Sequence, residues 1–305
     1  MKNLLLLAAC LFVASAVRAQ LPNEKFGKPS DMEWEFQGWG DALQADALVL
    51  CKAMTVTYQL SDQVVNFNQS GTDIGAYNIT DFSKNKIDES SILVKYQCRL
   101  RTKILKPEGA RHANIDITYY DPDKRADYNG DALSALKVRV FTRNEKGKVQ
   151  KRTVDADTFV RERVEDNYMV LHVAVPDVQP GSIIEYQYDI TSNRAPFLYD
   201  WVFQDSIPVL RSHCDIDIPA ILQFNMNVPI HKRIKSSVEV GRLAYDTNRP
   251  DLKKGKTCPT NHYRITGDYI LPSDTEIARF TSKILSPPVT PPAYLPKGCT
   301  HLRIK

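Results

Sequence analysis

Ile92-Leu-Val-Lys-Tyr-Gln-Cys-Arg-Leu-Arg-Thr-Lys-Ile-Leu105 is the stretch that decides the fold. In an extended chain, Val94, Tyr96, Cys98, Leu100 and Ile104 fall on one side and Lys95, Gln97, Arg99, Arg101 and Lys103 on the other. Side chains alternate across a strand, so a period of two with one apolar and one basic side predicts a strand with a single buried face. The basic side reads as a solvated sheet surface and not as a binding stripe, because exposed sheet faces are commonly charged.

The same pattern continues outward in both directions. Ala47–Leu60 is a second long strand candidate and Ile115–Tyr120 a short one. Ala135–Thr142 and Lys148–Val154 flank Asn144-Glu-Lys-Gly147, a compact hairpin turn. Tyr168–Val175 and Ser182–Ile190 flank Pro176-Asp-Val-Gln-Pro-Gly181 and carry apolar residues on both sides, which predicts central strands. Trp201–Val209 and Ala220–Val228 extend the series. Recurring strands with Pro and Gly turns between them argue for a mainly β, antiparallel sandwich.

The flanks differ in character. Residues 20–40 form an extended lead-in, in which Ser30-Asp-Met-Glu33 fits a capping box and predicts a short helix. Ser61–Ser90 is rich in Ser, Asn, Asp and Gly and reads as a long loop. Residues 41–230 make up the sandwich domain, and residues 231–305 a less regular, β-rich C-terminal extension. Arg242–Tyr245 and Tyr263–Thr266 are its strand candidates. It closes with the stiff Ser286-Pro-Pro-Val-Thr-Pro-Pro292 and a strand start at His301–Lys305.

Residues 1–19 have the form of a secretory signal peptide. Lys2 precedes the apolar run Leu4–Val17, and Val17-Arg18-Ala19 precedes a cleavage point before Gln20. Leu7-Ala-Ala-Cys10 imitates a lipoprotein box, but the apolar run continues past Cys10, so cleavage there would leave an apolar stub. No other stretch approaches the length of a membrane span, and export to the periplasm or outer cell surface is expected. The chain has 305 residues, 43% of them hydrophobic and 25% charged, which is globular composition and not that of a disordered chain. Its formal charge of +4 includes Lys2 and Arg18 of the leader. So small a surplus gives no concentrated basic face for nucleic acid.

Three blocks resemble a known family when taken together. They are Arg101-Thr-Lys-Ile-Leu-Lys-Pro-Glu-Gly109, Val175-Pro-Asp-Val-Gln-Pro-Gly-Ser-Ile-Ile-Glu-Tyr-Gln-Tyr188, and Asp200-Trp-Val-Phe-Gln-Asp-Ser-Ile-Pro-Val209 followed by Ile218-Pro219. In this order they are similar to domain of unknown function 3857, over roughly residues 40–230. The resemblance implies an immunoglobulin-like β-sandwich exported in Bacteroidetes, usually placed ahead of a transglutaminase-like domain. It implies no catalytic residue for this domain. Structural roles suffice for the blocks: Gly181 for a turn, Trp201 and Phe203 for a core, Gln204 for buried backbone groups.

The cysteines are the first candidates for chemistry. Cys51, Cys98, Cys214, Cys258 and Cys299 remain after leader removal, an odd number that leaves at least one thiol unpaired in an oxidising compartment. Cys51 with Cys98 and Cys258 with Cys299 are conceivable bridges, and buried free cysteine is the favoured reading. A nucleophilic thiol needs a nearby imidazole and a positive field. His213-Cys214, Cys258 with His262, and Cys299 with His301 supply the residue types. None precedes a recognisable helix, and neighbours on a strand point to opposite faces. Cys258, His262, Cys299 and His301 fit no compact zinc spacing. Asp215 with Asp217 and Asp121 with Asp123 offer too few fixed oxygens for calcium. No catalytic residue, cofactor or metal is therefore assigned. The expected role is a non-catalytic module that binds a protein, peptide or glycan of the cell envelope, or scaffolds an adjacent enzyme. Sheet edges and the Ser61–Ser90 loop would be its surfaces. The alternative is the front part of a transglutaminase-like or cysteine-protease-like enzyme, which the coding sequence after Lys305 would reveal.

Overall fold

The structure is a computed structural model that describes residues 25–59, 93–122, 131–155, 158–165, 167–192, 194, 198–219, 222, 224–228, 230–244, 257–274 and 279–284. The leader, the Ser61–Ser90 loop and the proline-rich segment lie outside the described residues. The protein is mainly β. In chain order the strands are β1 (Ala47–Gln59), β2 (Leu93–Ile104), β3 (Ile115–Tyr120), β4 (Ala132–Arg143), β5 (Val149–Thr153), β6 (Phe159–Glu165) and β7 (Tyr168–Val173). They continue with β8 (Ile183–Ser192), β9 (Trp201–Val202), β10 (Val209–Pro219), β11 (Phe224–Asn227), β12 (Ile234–Ala244), β13 (Thr257–Ile270) and β14 (Arg279–Ile284).

Eight strands form one large sheet in the order β12-β13-β10-β1-β2-β8-β4-β5. Two three-stranded sheets, β11-β14-β9 and β3-β7-β6, complete the β-structure. One apolar cluster joins one side of the large sheet to both small ones: Met54, Val56, Tyr96, Ile184 and Ile216 meet Ile117 and Leu171, with Trp201 and Phe224 packed at its margin. The layered, alternating architecture follows from the period of two read above.

Pairing is not wholly antiparallel. β1 runs parallel to β10, with Val49 beside Val209 and Val56 beside Ile216, so the large sheet is mixed. A parallel pair cannot be closed by a tight turn, and here the intervening chain builds most of the other strands. The segment Trp201–Val209, read as one strand, is two. β9 stops at Val202, Phe203 dives into the core, and β10 begins at Val209. Among the described residues of 220–228, only Phe224–Asn227 is strand. β12 and β13, longer than the fragments expected in residues 231–305, pair into the main sheet beside β10. The two strands predicted to be central are both flanked on each side, but in different layers: β8 lies between β2 and β4, and β7 between β3 and β6.

A larger correction concerns the basic side of β2. Arg101 is 1% exposed and Lys103 2%, so this end of the face is covered and not solvated. The cover is the lead-in. Its helix α1 (Asp31–Glu35) starts with the predicted capping box: the backbone N–H of Glu33 donates to Ser30 Oγ, and that of Ser30 donates to Glu33 Oε2 at 2.6 Å. The other oxygen of Glu33, Oε1, accepts from Arg101. Arg101 also donates to Glu185 Oε1 at 2.5 Å and to the carbonyl of Lys25 at 2.9 Å. Burial works against the guanidinium charge, and Glu185 and Glu33 more than offset it, holding the Arg101 pKa above its ordinary value. The Lys103 ammonium donates to the carbonyls of Glu33, Trp34 and Phe36 at the C-terminal end of α1, where carbonyls lack helical partners. Trp34 then seals a second apolar cluster with Leu48, Leu50, Phe141, Ile183 and Leu210.

Those contacts explain the sequence blocks. Glu185 of the second block is the buried partner of Arg101 of the first. Gly109 sits where a Cβ would stand 2.2 Å from the carbonyl oxygen of Asp46, an acceptor already holding the N–H groups of Leu105 and Lys106. Gly181, at φ +87°, donates its N–H to the carbonyl of Ile104 and pins the turn before β8 to the end of β2. Gln204 of the third block donates to the carbonyls of Leu271, Pro272 and Asp274, the backbone role expected of it.

Candidate binding face

Residues 25–45 cover one end of the Arg101 side of the large sheet. Farther along, β10 and β13 present a polar surface built by alternation. Odd-numbered His213, Asp215 and Asp217 of β10 lie opposite Thr266, Arg264 and His262 of β13. Even-numbered Ser212, Cys214 and Ile216 point to the packed side, where all three are buried. The strands thus bring together two imidazoles, two carboxylates and a guanidinium.

His213 Nε2 lies 2.8 Å from Asp215 Oδ2, and His262 Nδ1 lies 2.8 Å from Asp217 Oδ1. Arg264 Nε donates to Asp215 Oδ1 at 3.2 Å, and its Nη2 lies 3.4 Å from His262 Nε2. Partial burial pushes the Asp215 pKa up, but the hydrogen bond and charge of His213, with Arg264 and His262, overcome this and hold it below the usual carboxylate value. The network can exchange hydrogen bonds with a polar ligand through both signs of charge. The Nε2 side of His262 faces Arg264 and Asp215, and the guanidinium beside both groups disfavours a cation there. Among the described residues, no group of three or more His, Cys, Asp or Glu side chains is placed to hold a metal ion.

Elsewhere, a cleft of about 480 Å³ at the end of the sheet is lined by Asp41, Asp46, Arg111, His112, Ser206 and Leu271 among others. Arg111 lies 3.4 Å from Asp46 Oδ2. Burial and the neighbouring Arg111 charge lower the His112 pKa.

Cys98 and Cys214 lie on the packed side, away from this face. Cys51 is opposite Arg101 and Cys98 opposite Met54, so the two do not bridge. Burial pushes the Cys98 thiol up to about 12, although a hydrogen bond from Tyr188 opposes the shift, and burial raises Cys214 well above its ordinary value. His213 and Cys214 point to opposite faces, as neighbours on a strand must. Cys258 precedes His262 by four positions on β13, about 13 Å along a strand. Cys299 and His301 lie outside the described residues, as does Asp123. The convergence of His213 and Asp217 with His262 and Arg264 was not found from sequence. Its only trace was the i, i+2 spacing on each strand, and nothing local indicates that β13 would register beside β10.

The profile of the family described as "Domain of Unknown Function with solved-structure structure (DUF3857)" matches residues 92–253. The chain belongs to the DUF3857 family. The match runs from the start of β2 to beyond β12, and includes all three sequence blocks. No curated protein sequence matches the chain. Among solved structures, one described as a "putative protease from Parabacteroides distasonis ATCC 8503" is similar at 11% identity and a TM-score of 0.47. The likeness covers 78% of this chain and 40% of that one, so the chain spans less than half of its length. Among the described residues, no helix is long and apolar enough to cross a membrane.

Proposed function

We propose that this chain is an exported, non-catalytic binding or scaffolding module of the cell envelope, an immunoglobulin-like sandwich whose polar face on β10 and β13 contacts a protein, peptide or glycan. One observation carries the reading: the thiols of Cys98 and Cys214 and the imidazoles of His213 and His262 are sorted to opposite sides of the sheet. Cys98 and Cys214 belong to the packed side and are held protonated by burial, whereas His213 and His262 lie on the other side of the sheet, each against an aspartate. A nucleophilic cysteine requires the reverse arrangement, a thiolate beside an imidazole. The histidine-bearing network is polar, carries both charges and stands on rigid strands, which suits recognition of a polar ligand.

Two measurements test this together. The purified chain is assayed for hydrolysis of fluorogenic peptides and for amine incorporation into casein, beside Cys98→Ser and Cys214→Ser variants. No turnover above buffer is expected, and turnover that a Cys→Ser change abolishes sinks the proposal. Backbone amide shifts are then followed during titration with cell-wall muropeptides and with envelope peptides and glycans. Saturable shifts centred on His213, Asp215, His262 and Arg264 are expected, and shifts confined elsewhere remove this face from the reading.

A further inference from the structure

The two edges of the large sheet differ in how they are protected. β5 is five residues long and carries adjacent Lys151 and Arg152, which repel a second copy of the same strand. β12 at the other edge is eleven residues long, pairs with β13 without a register break, and contains no proline. Its Val238 and Val240 are 58% and 81% exposed. An unbroken edge with exposed β-branched residues is a template for adding a strand, and natural proteins usually block such edges.

We propose that β12 pairs with β12 of a second copy of this chain, antiparallel about a two-fold axis through Ser237. The sequence of the edge selects this partner and this register. In a two-fold antiparallel pair centred on Ser237, Lys235 opposes the partner's Glu239, and Glu239 opposes the partner's Lys235. Both residues are exposed and lie on the face that carries His262 and Arg264, since Glu239 registers with His262 and Ser237 with Arg264. On the opposite face Ile234 meets the partner's Val240, and Val238 meets the partner's Ser236. Opposite charges and β-branched residues directly across an antiparallel pair are both favourable. Moving the axis to Val238 sets Glu239 against Ser237, and moving it to Glu239 sets two carboxylates against each other. The pairing ends after Ile234 and Val240, because the next like pair of charges would be Arg242 against Lys232, which precedes β12. Seven residues from each copy take part, and the two eight-stranded sheets become one continuous sheet, with both polar faces on the same side. The proposal is independent of the ligand-binding reading, since it requires only the edge.

The test uses charge reversal on the purified full chain, with mass measured by light scattering and sedimentation across a dilution series. The wild type is expected to be a dimer that dissociates on dilution. Lys235→Glu alone and Glu239→Lys alone place like charges opposite one another twice, and each should raise the dimer dissociation constant by about tenfold or more. An equimolar mixture of the two variants restores both opposite-charge pairs, so it should form a heterodimer as tight as the wild type. Ser237→Cys should cross-link to its copy on mild oxidation, because residues facing each other across such a pair have Cα atoms about 4.5–5.5 Å apart, within disulfide reach. Circular dichroism and thermal midpoints confirm that each variant is folded. A wild type that stays monomeric at every concentration overturns the proposal. So does a dimer that both reversals leave intact, a mixture that fails to restore association, or a Ser237→Cys variant that gives no more cross-linking than the wild type.

Discussion

The two ends of one sheet face carry similar residues and meet opposite fates. At one end Arg101, Lys103 and Glu185 lie beneath α1 and are nearly inaccessible; at the other, His213, Asp215 and His262 are half-buried and Arg264 is exposed, in a network of their own. The alternation that places them is identical. What differs is the layer above, which at the first end is supplied by residues 25–45. A charged strand face therefore says which way a side chain points and not whether water reaches it.

The sharpest way to break this contrast is to remove the buried cation. Arg101→Met strands two buried carboxylates and should cost about 3–5 kcal/mol in urea unfolding, because an uncompensated buried charge is much worse than no charge. Replacing the whole triad (Glu33→Gln, Arg101→Met and Glu185→Gln) should recover a large part of that loss; recovery of none would mean the covering segment depends on the ion pairs themselves and not on their mutual neutralisation. Lys103 gives a pH test at the same end. Burial lowers its pKa to about 8, with Glu35 opposing and Arg143 assisting the shift. The unfolded chain, with a lysine value near 10.4, then binds this proton more tightly than the folded one. The contribution of Lys103 to stability should rise with pH between about 8 and about 10.4, and Lys103→Met should flatten that part of the profile. Gly109→Ala would push a methyl group against the Asp46 carbonyl and should cost about 1–3 kcal/mol in thermal unfolding. The β10–β13 end should respond least. Asp215→Asn removes a half-screened network and should change stability by about 1 kcal/mol or less. The folded pKa of Asp215 lies below the unfolded value, so what it contributes is present above about pH 4 and is lost as pH falls through the folded value. A loss as large as that of Arg101→Met would erase the distinction between the ends.

Much of this was legible in the amino-acid order. The alternation in Ile92–Leu105 placed Val94 and Tyr96 in the core, Ser30 and Glu33 announced α1, and Gln204 was read as a partner for backbone groups. What escaped was long-range. Glu33 is 68 positions from Arg101, and Glu185 is 84 positions away on the other side, so no local pattern could reveal that the three share one buried site. The mixed pairing escaped for the same reason, since hydrophobic period alone does not fix which strand lies beside which. The polar face on β10 and β13 needed the register of two distant strands, and the self-complementarity of β12 became meaningful only once that strand was known to be an edge.

The place of β1 has a temporal consequence. It sits between β2 and β10, and its neighbour at Val209 is synthesised long after it. Since a polypeptide emerges from its N-terminus, one flank of this strand waits bare until the tenth strand arrives, and such distant pairing is slow to form. A piece beginning at residue 92 would never receive that strand at all, and would be left with a gap through the middle of its largest sheet.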